Sequence, residues 1–189
     1  RRWAKQNTVK KTNSQTRLDQ YRIRTGLKFE IIKGLQLTAS YQYVIENSKN
    51  DNSYDVNSYY TRNLINQFSS ISGNAVKRVI PLGDHLNENI NMFSSKTFRT
   101  QVNYNKVIDL DHDISFIAGY EGSDIRRNTN TQVYYGYNPQ TLINANGTIN
   151  PLNEYKYYYG SSGTIQTAPS SSARISIDQS FYTNASYSY

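Results

Sequence analysis

The sequence predicts an all-β chain: about five strands of an antiparallel transmembrane β-barrel segment, carrying two long extracellular loops. Three observations predict it. Apolar and polar residues alternate with period two over several stretches, the spacing at which strand side chains point to opposite faces. The connections between these stretches alternate between short and long. No run of about 18 apolar residues is present to form a membrane helix. A soluble sandwich uses the same alternation with its apolar face inward, whereas a membrane barrel turns that face to lipid. Two connections too long for an ordinary compact domain favour the barrel, whose periplasmic turns are short and extracellular loops long.

The first strand places Tyr21, Ile23, Thr25, Leu27, Phe29 and Ile31 on one face, opposite Gln20, Arg22, Arg24, Lys28 and Glu30. A turn at Lys33-Gly34 leads to the second, with Leu35, Leu37, Ala39, Tyr41, Tyr43 and Ile45 on the apolar face and Gln36, Thr38, Ser40, Gln42 and Glu46 on the other. The third sets Phe98, Val102, Tyr104 and Ile108 against Arg99, Gln101, Asn103 and Asn105. Asp109 to Asp113 makes a polar turn. The fourth sets Ile114, Phe116, Ala118 and Tyr120 against Ser115, Gly119 and Glu121, with Ile117 breaking the polar side. The fifth, from Arg174, sets Ile175, Ile177, Phe181, Ala185, Tyr187 and Tyr189 against Arg174, Ser176, Asp178, Ser180, Asn184 and Ser186. Each is long enough for a tilted crossing of roughly 9–11 residues. The expected lipid-facing set is therefore Tyr21, Ile23, Leu27, Phe29, Leu37, Tyr41, Tyr43, Phe98, Val102, Tyr104, Phe116 and Tyr120. Between the strands lie the two long connections, Asn47–Ser95 and Ser123–Ser172.

Composition fits a wall with one apolar face. The hydrophobic fraction is 37%, low for a thick soluble core. Tyrosine is abundant, 18 residues against one Trp, and Tyr collects at membrane interfaces and recognition surfaces. Cysteine is absent, which excludes disulfides, thiol catalysis and thiolate metal sites. The net charge of +7 raises nucleic acid as a partner, but basic residues concentrate between Arg1 and Lys28, and Arg22, Arg24 and Lys28 share one strand face. Without zinc spacing, a helix-turn-helix pattern or an aromatic-basic RNA motif, no nucleic acid is expected. Five strands cannot close a membrane barrel and open edges in lipid are prohibitive, so the chain reads as part of a larger barrel.

The residues also carry a resemblance. Ile32-Lys33-Gly34-Leu35-Gln36-Leu37 followed by Ser40-Tyr41-Gln42-Tyr43 resembles a hairpin of the SusC/RagA-like TonB-linked outer-membrane transporters. Ser58-Tyr59-Tyr60-Thr61-Arg62-Asn63-Leu64-Ile65-Asn66-Gln67-Phe68 resembles their next extracellular loop. Pro81-Leu82-Gly83-Asp84 is similar to a P-L-G-G turn, with Asp84 replacing the second glycine. Gln101–Lys106, Ile117–Glu121, Tyr135-Gly136-Tyr137-Asn138 and Asn184–Tyr189 follow in order, so the match spans nearly the whole chain. The resemblance implies residues 1–189 as part of a TonB-dependent transporter barrel, with plug domain and remaining strands outside this chain. It implies import of oligosaccharides (glycans) or peptides across the outer membrane of a Gram-negative bacterium. Its implied partners are outer-membrane lipid, a SusD-like lipoprotein lid, and the TonB complex acting through the missing N-terminal region.

Chemistry-bearing candidates are few. Asp109, Asp111 and Asp113 have the first spacings of a calcium loop, but Ile114 stands where Gly is needed and Tyr120 where Glu is needed, so a solvated turn is expected. His85 and His112 lack neighbours at ligand spacing and read as exposed loop residues. Neither metal, cofactor nor catalytic residue is expected, and the chain is not read as an enzyme. The sequons at Asn146 and Asn184 carry no functional reading. The tyrosine clusters are the candidate binding residues: Tyr59, Tyr60 and Arg62; Tyr134, Tyr135 and Tyr137; Tyr155, Tyr157, Tyr158 and Tyr159. Tyr offers a flat apolar face and a hydroxyl at low entropic cost, suited to sugars and protein partners. The same rings can equally pack the loops together or against a lid. A soluble all-β glycan-binding or adhesive module stays open as the alternative. It is separated from the importer by whether Leu27, Phe29, Leu37 and Tyr41 meet lipid or a second sheet.

Overall fold

The computed structural model describes residues 12–108 and 112–189. Five long strands form one antiparallel sheet. They are β1 (Thr12–Ile32), β2 (Leu35–Tyr54), β5 (Asp84–Ile108), β6 (His112–Tyr137) and β9 (Ser170–Ser188), in the order β1-β2-β5-β6-β9. The chain is all-β, and the sheet is open rather than closed, with β1 and β9 at its edges. A helix, α1 (Tyr59–Gln67), and two small hairpins, β3–β4 (Ser69–Ser72, Ala75–Arg78) and β7–β8 (Tyr155–Lys156, Ser162–Gly163), fill the connections. Among the described residues no helix is long and apolar enough to cross a membrane.

The register follows the alternation. Thr16 receives a hydrogen bond from Asn50 at 2.7 Å, and Glu46 one from Gln20 at 3.2 Å, so even-numbered side chains of β1 and β2 share a face. The odd-numbered apolar residues therefore share the other face. The β1–β2 turn needs Gly34, which sits at φ +87° with its carbonyl accepting from Asn105 N at 2.8 Å.

Two compact units emerge. The first contains the two connections, Ser48–Ile90 and Thr129–Ser172, together with strand residues up to Leu18; the second is formed by Asp19–Asn47, Asn91–Asn128 and Ala173–Tyr189. The buried core belongs to the first: Ile65, Phe68, Ile80, Tyr135, Ile149 and Ile165 cluster together, with Val56, Leu64, Tyr155 and Tyr157 packed against them. In the second unit the apolar rows stay exposed. Tyr21, Ile23, Leu27 and Phe29 are exposed, as are Leu37, Tyr41, Phe98 and Phe116, while Tyr43, Val102, Tyr104 and Tyr120 are half-buried.

Three expectations change. The strands run 19 to 26 residues, about twice the expected crossing. Pairing extends β2 to Tyr54, starts β5 at Asp84 and carries β6 to Tyr137, so both long connections are shorter than the alternation alone indicates. Backbone ladders need no apolar face to persist, which is why period-two hydrophobicity stops before the strands do. Second, Tyr59–Gln67 is helical, not loop. Ser58 caps it, its Oγ accepting from Thr61 N at 3.1 Å, and Thr61, Ile65 and Phe68 bury one face at helical spacing. Third, His85 is not exposed: it is 5% accessible. His112 is half-buried, its Nδ1 2.6 Å from the Tyr187 hydroxyl. Asp109 and Asp111 lie outside the described residues, and Asp113 stands on β6.

Candidate functional site

The tyrosines of the first unit divide into two classes with different surroundings. One class is structural. Tyr54, Tyr60, His85 and Tyr135 form a ring cluster: Tyr60 lies 4.7 Å from Tyr54 and 5.2 Å from His85, and Tyr135 5.2 Å from His85, centroid to centroid. The cluster ties together the end of β2, α1, the start of β5 and the end of β6, with His85 and Tyr135 buried and Tyr60 still 49% exposed at its rim. His85 was not a sequence candidate for burial, nor was Tyr54 singled out. Burial holds the His85 imidazole neutral by lowering its pKa to about 4, and raises the pKa of Tyr60 and Tyr135. Among the described residues its Nδ1 has no hydrogen-bond partner.

Tyr155 and Tyr157 belong to the same class. The Tyr155 hydroxyl accepts from Asn150 N at 3.0 Å and donates to Asn150 O at 3.1 Å. Tyr157 stands edge-on to Phe68 at 5.0 Å, and the missing side chain of Gly163 leaves room for its hydroxyl. Tyr134 and Tyr137, read as loop residues, lie on β6. Tyr134 is half-buried and donates to Glu88 at 3.5 Å, beside the ion pair of Lys49 with Glu88 at 2.5 Å. The carboxylates of Glu88 and Asp51 raise the Lys49 pKa. Tyr137 helps line a cleft of about 380 Å³ with Asp55, Asp84 and Asn138. In that cleft Asp84 accepts from Val56 N at 2.8 Å, and burial raises its pKa.

The other class is displayed. Tyr59, Tyr158 and Tyr159 are 68%, 68% and 57% exposed. Arg62 is exposed on α1. The Tyr158 and Tyr159 rings meet at right angles, 5.0 Å apart, and Tyr159 accepts a long hydrogen bond of 3.5 Å from Gln67 at the end of α1. The Tyr158 backbone is anchored by its N–H to Gln67 O at 3.2 Å. Two adjacent rings are thus held on an ordered backbone while their faces remain accessible.

Asn146 is a residue whose role sequence reasoning missed. Its Oδ1 accepts from Tyr135 N at 2.9 Å and its Nδ2 donates to Val133 O at 2.5 Å, so one side chain clamps the end of β6 against the following loop. Local sequence carries no signal for this, because the bond spans a turn of irregular length.

The second unit presents a polar network on the face opposite its apolar rows. Arg99 lies 5.3 Å from the Tyr182 ring and donates Nε to its hydroxyl at 3.0 Å, while that hydroxyl donates to Gln101 at 2.9 Å. Gln101 continues to Asn103 at 2.6 Å. Among the described residues no group of three His, Cys, Asp or Glu is placed to hold a metal.

This geometry has solved counterparts. The chain is similar to a chain in the structure of the RagAB peptide importer in the closed-closed state, with TM-score 0.66 and 17% identity over 95% of this chain. It is similar to the RagAB peptide transporter (TM-score 0.67, 17% identity, 96% covered) and to the open-open state of the importer (TM-score 0.67, 18% identity, 96% covered). In each case it spans 17% of the other chain's length. No family model and no curated protein matches. The likeness establishes a shared fold: this long-stranded sheet with its folded connections also occurs within a peptide importer.

Proposed function

We propose that the chain is part of the barrel wall of an outer-membrane, TonB-dependent importer of glycans or peptides, acting with a SusD-like lipoprotein. The observation that carries the reading is the similarity of 95–96% of the chain to RagAB importer chains at TM-scores of 0.66–0.67. The exposed apolar rows support it. Leu27 is 77% and Phe29 64% exposed, and no second sheet of the described residues covers them. In water such a face is a liability, whereas in a bilayer it is the required surface. The opposite face, with Arg99, Gln101 and Tyr182, then lines the interior.

In this reading the first unit is extracellular and recognises partner or cargo. Tyr59, Tyr158 and Tyr159 are its contact residues. Tyr135, Tyr155 and Tyr157 hold them in place. The test is co-purification of the lipoprotein and uptake of labelled oligosaccharide or peptide by cells carrying Tyr158→Ser with Tyr159→Ser. Loss of lid association or uptake, with normal insertion, supports the reading; normal uptake and association count against it.

A further inference from the structure

Asn146 and Gly147 form the one Asn-Gly step in the chain; each of the other asparagines precedes a residue with a side chain. That step has a chemistry of its own. A backbone nitrogen can attack the carboxamide carbon of the asparagine before it, and glycine obstructs that attack least because it has no Cβ. The local structure leaves the attacking side open. Gly147 is exposed, and a Cβ built on it meets nothing within 4 Å. Among the described residues its N–H has no hydrogen-bond acceptor.

The carboxamide under attack is the one that clamps β6. Its oxygen accepts from Tyr135 N at 2.9 Å, and its nitrogen donates to Val133 O at 2.5 Å. The backbone of the same turn is held as well: Thr148 N donates to Ala145 O at 3.0 Å and Ile149 N to Asn146 O at 3.1 Å. Ring closure must bring the carboxamide carbon onto the Gly147 nitrogen in the geometry of bond formation. The bonds to Val133 and Tyr135 hold the carboxamide against that rotation. The reaction therefore waits on local opening of the clamp.

We propose that Asn146 is a self-modification site, gated by its own clamp, at which the carboxamide is converted to a carboxylate. The Gly147 nitrogen loses its proton and bonds to Asn146 Cγ, the Cγ–Nδ2 bond breaks, and Nδ2 leaves as ammonia, giving a cyclic imide. Water then adds to one imide carbonyl and breaks its bond to nitrogen. Opening at Cγ gives aspartate; opening at the backbone carbonyl gives isoaspartate, with the main chain rerouted through the side chain. Nothing is oxidised or reduced, and water is the co-reactant. Either product lacks the donor to Val133 O and brings a negative charge to that carbonyl, so the clamp does not re-form. Modification thus loosens the end of β6, where Tyr135 packs on His85 at 5.2 Å. None of this requires that the sheet face lipid.

The test is peptide mapping by mass spectrometry of the full chain, aged in mildly alkaline buffer either folded in detergent micelles or unfolded in urea. In urea, Asn146 is expected to be converted before any other asparagine. In micelles it is expected to be converted about tenfold more slowly, the factor that two net hydrogen bonds supply. Gly147→Ala is expected to slow conversion in both conditions. The converted fraction, separated by its extra negative charge, is expected to lose hydrogen-exchange protection around Tyr135. Another asparagine converted first in urea, equal rates in the two conditions, no conversion in micelles after much longer ageing, or an unslowed Gly147→Ala overturns the proposal. Unchanged protection around Tyr135 in the converted fraction overturns the part given to the clamp.

Discussion

The ring of Tyr182 occupies the space that a side chain at Gly119 would fill: a Cβ built on Gly119 collides with the ring's Cε2, Cζ and hydroxyl atoms. The absent side chain on β6 is what lets an aromatic ring of the edge strand β9 lie over its neighbour and reach Arg99 and Gln101. Gly119→Val is therefore expected to displace Tyr182 and break both bonds. Each is worth about 0.5–1.5 kcal/mol at a partly solvated site. Tyr182→Phe should lose the bonds but keep the packing, and so cost less than Gly119→Val. Urea unfolding in detergent micelles measures both, and equal stability of wild type and Gly119→Val would refute the relationship.

Leu27→Arg should destabilise the inserted protein by about 2–4 kcal/mol if position 27 lies near the bilayer midplane. Lys28→Ala, on the opposite face, should cost much less. Reversible folding into vesicles gives both values, and equal effects would undo the assignment of faces.

His85 predicts a pH dependence. Its folded pKa, about 4, lies below the ordinary 6.5 because burial disfavours the charged ring. The unfolded state then binds the extra proton first, so the stabilisation is complete above pH about 6.5 and is lost as pH falls toward 4. The loss is on the order of 3 kcal/mol for the local fold. Asp84, whose pKa is raised, acts in the opposite sense in the carboxylate range. His85→Phe keeps a ring against Tyr60 and Tyr135 and should flatten the dependence between pH 6.5 and 5. Hydrogen exchange at α1 and Tyr135 reads this directly; parallel pH profiles for wild type and variant would exclude His85 as the cause.

The tyrosine cluster before Gly160 should separate into two phenotypes. Tyr157→Ser removes the ring packed on Phe68 and should cost about 1–3 kcal/mol, less than full burial would. Tyr158→Ser and Tyr159→Ser should leave stability within about 0.5 kcal/mol, as exposed substitutions usually do. Thermal unfolding of the three variants tests the division, and a Tyr158→Ser variant as unstable as Tyr157→Ser would remove it.

The orientation is testable by labelling. Lys33→Cys should be periplasmic, while Tyr59→Cys and Tyr158→Cys should react with an impermeant reagent on intact cells. Lys33 is used rather than Gly34, because a side chain at 34 would strike the Asn105 carbonyl and require φ +87°. Labelling at 33 with protection at 158 would invert the topology.

The sequence alone determined the strand faces, the short turn at Gly34 and the all-β class. Those follow from period-two patterning and from the residue type that adopts positive φ most readily, both local properties. The ordered motifs from Ile32 to Tyr189 also carried a resemblance to a transporter family, and solved chains of a peptide importer share the fold. Helix α1 was read as loop, although Ser58 ahead of the Thr61, Ile65 and Phe68 spacing is a local signal for it. Only the tertiary structure decided which tyrosines are walls and which are displayed. Tyr157 and Tyr158 are neighbours of identical chemistry, yet one meets Phe68 and the other solvent, because a distant helix end supplies the partner. The burial of His85 was equally invisible: its surroundings come from Tyr54, Tyr60 and Tyr135, three positions that chain order keeps apart and packing brings together.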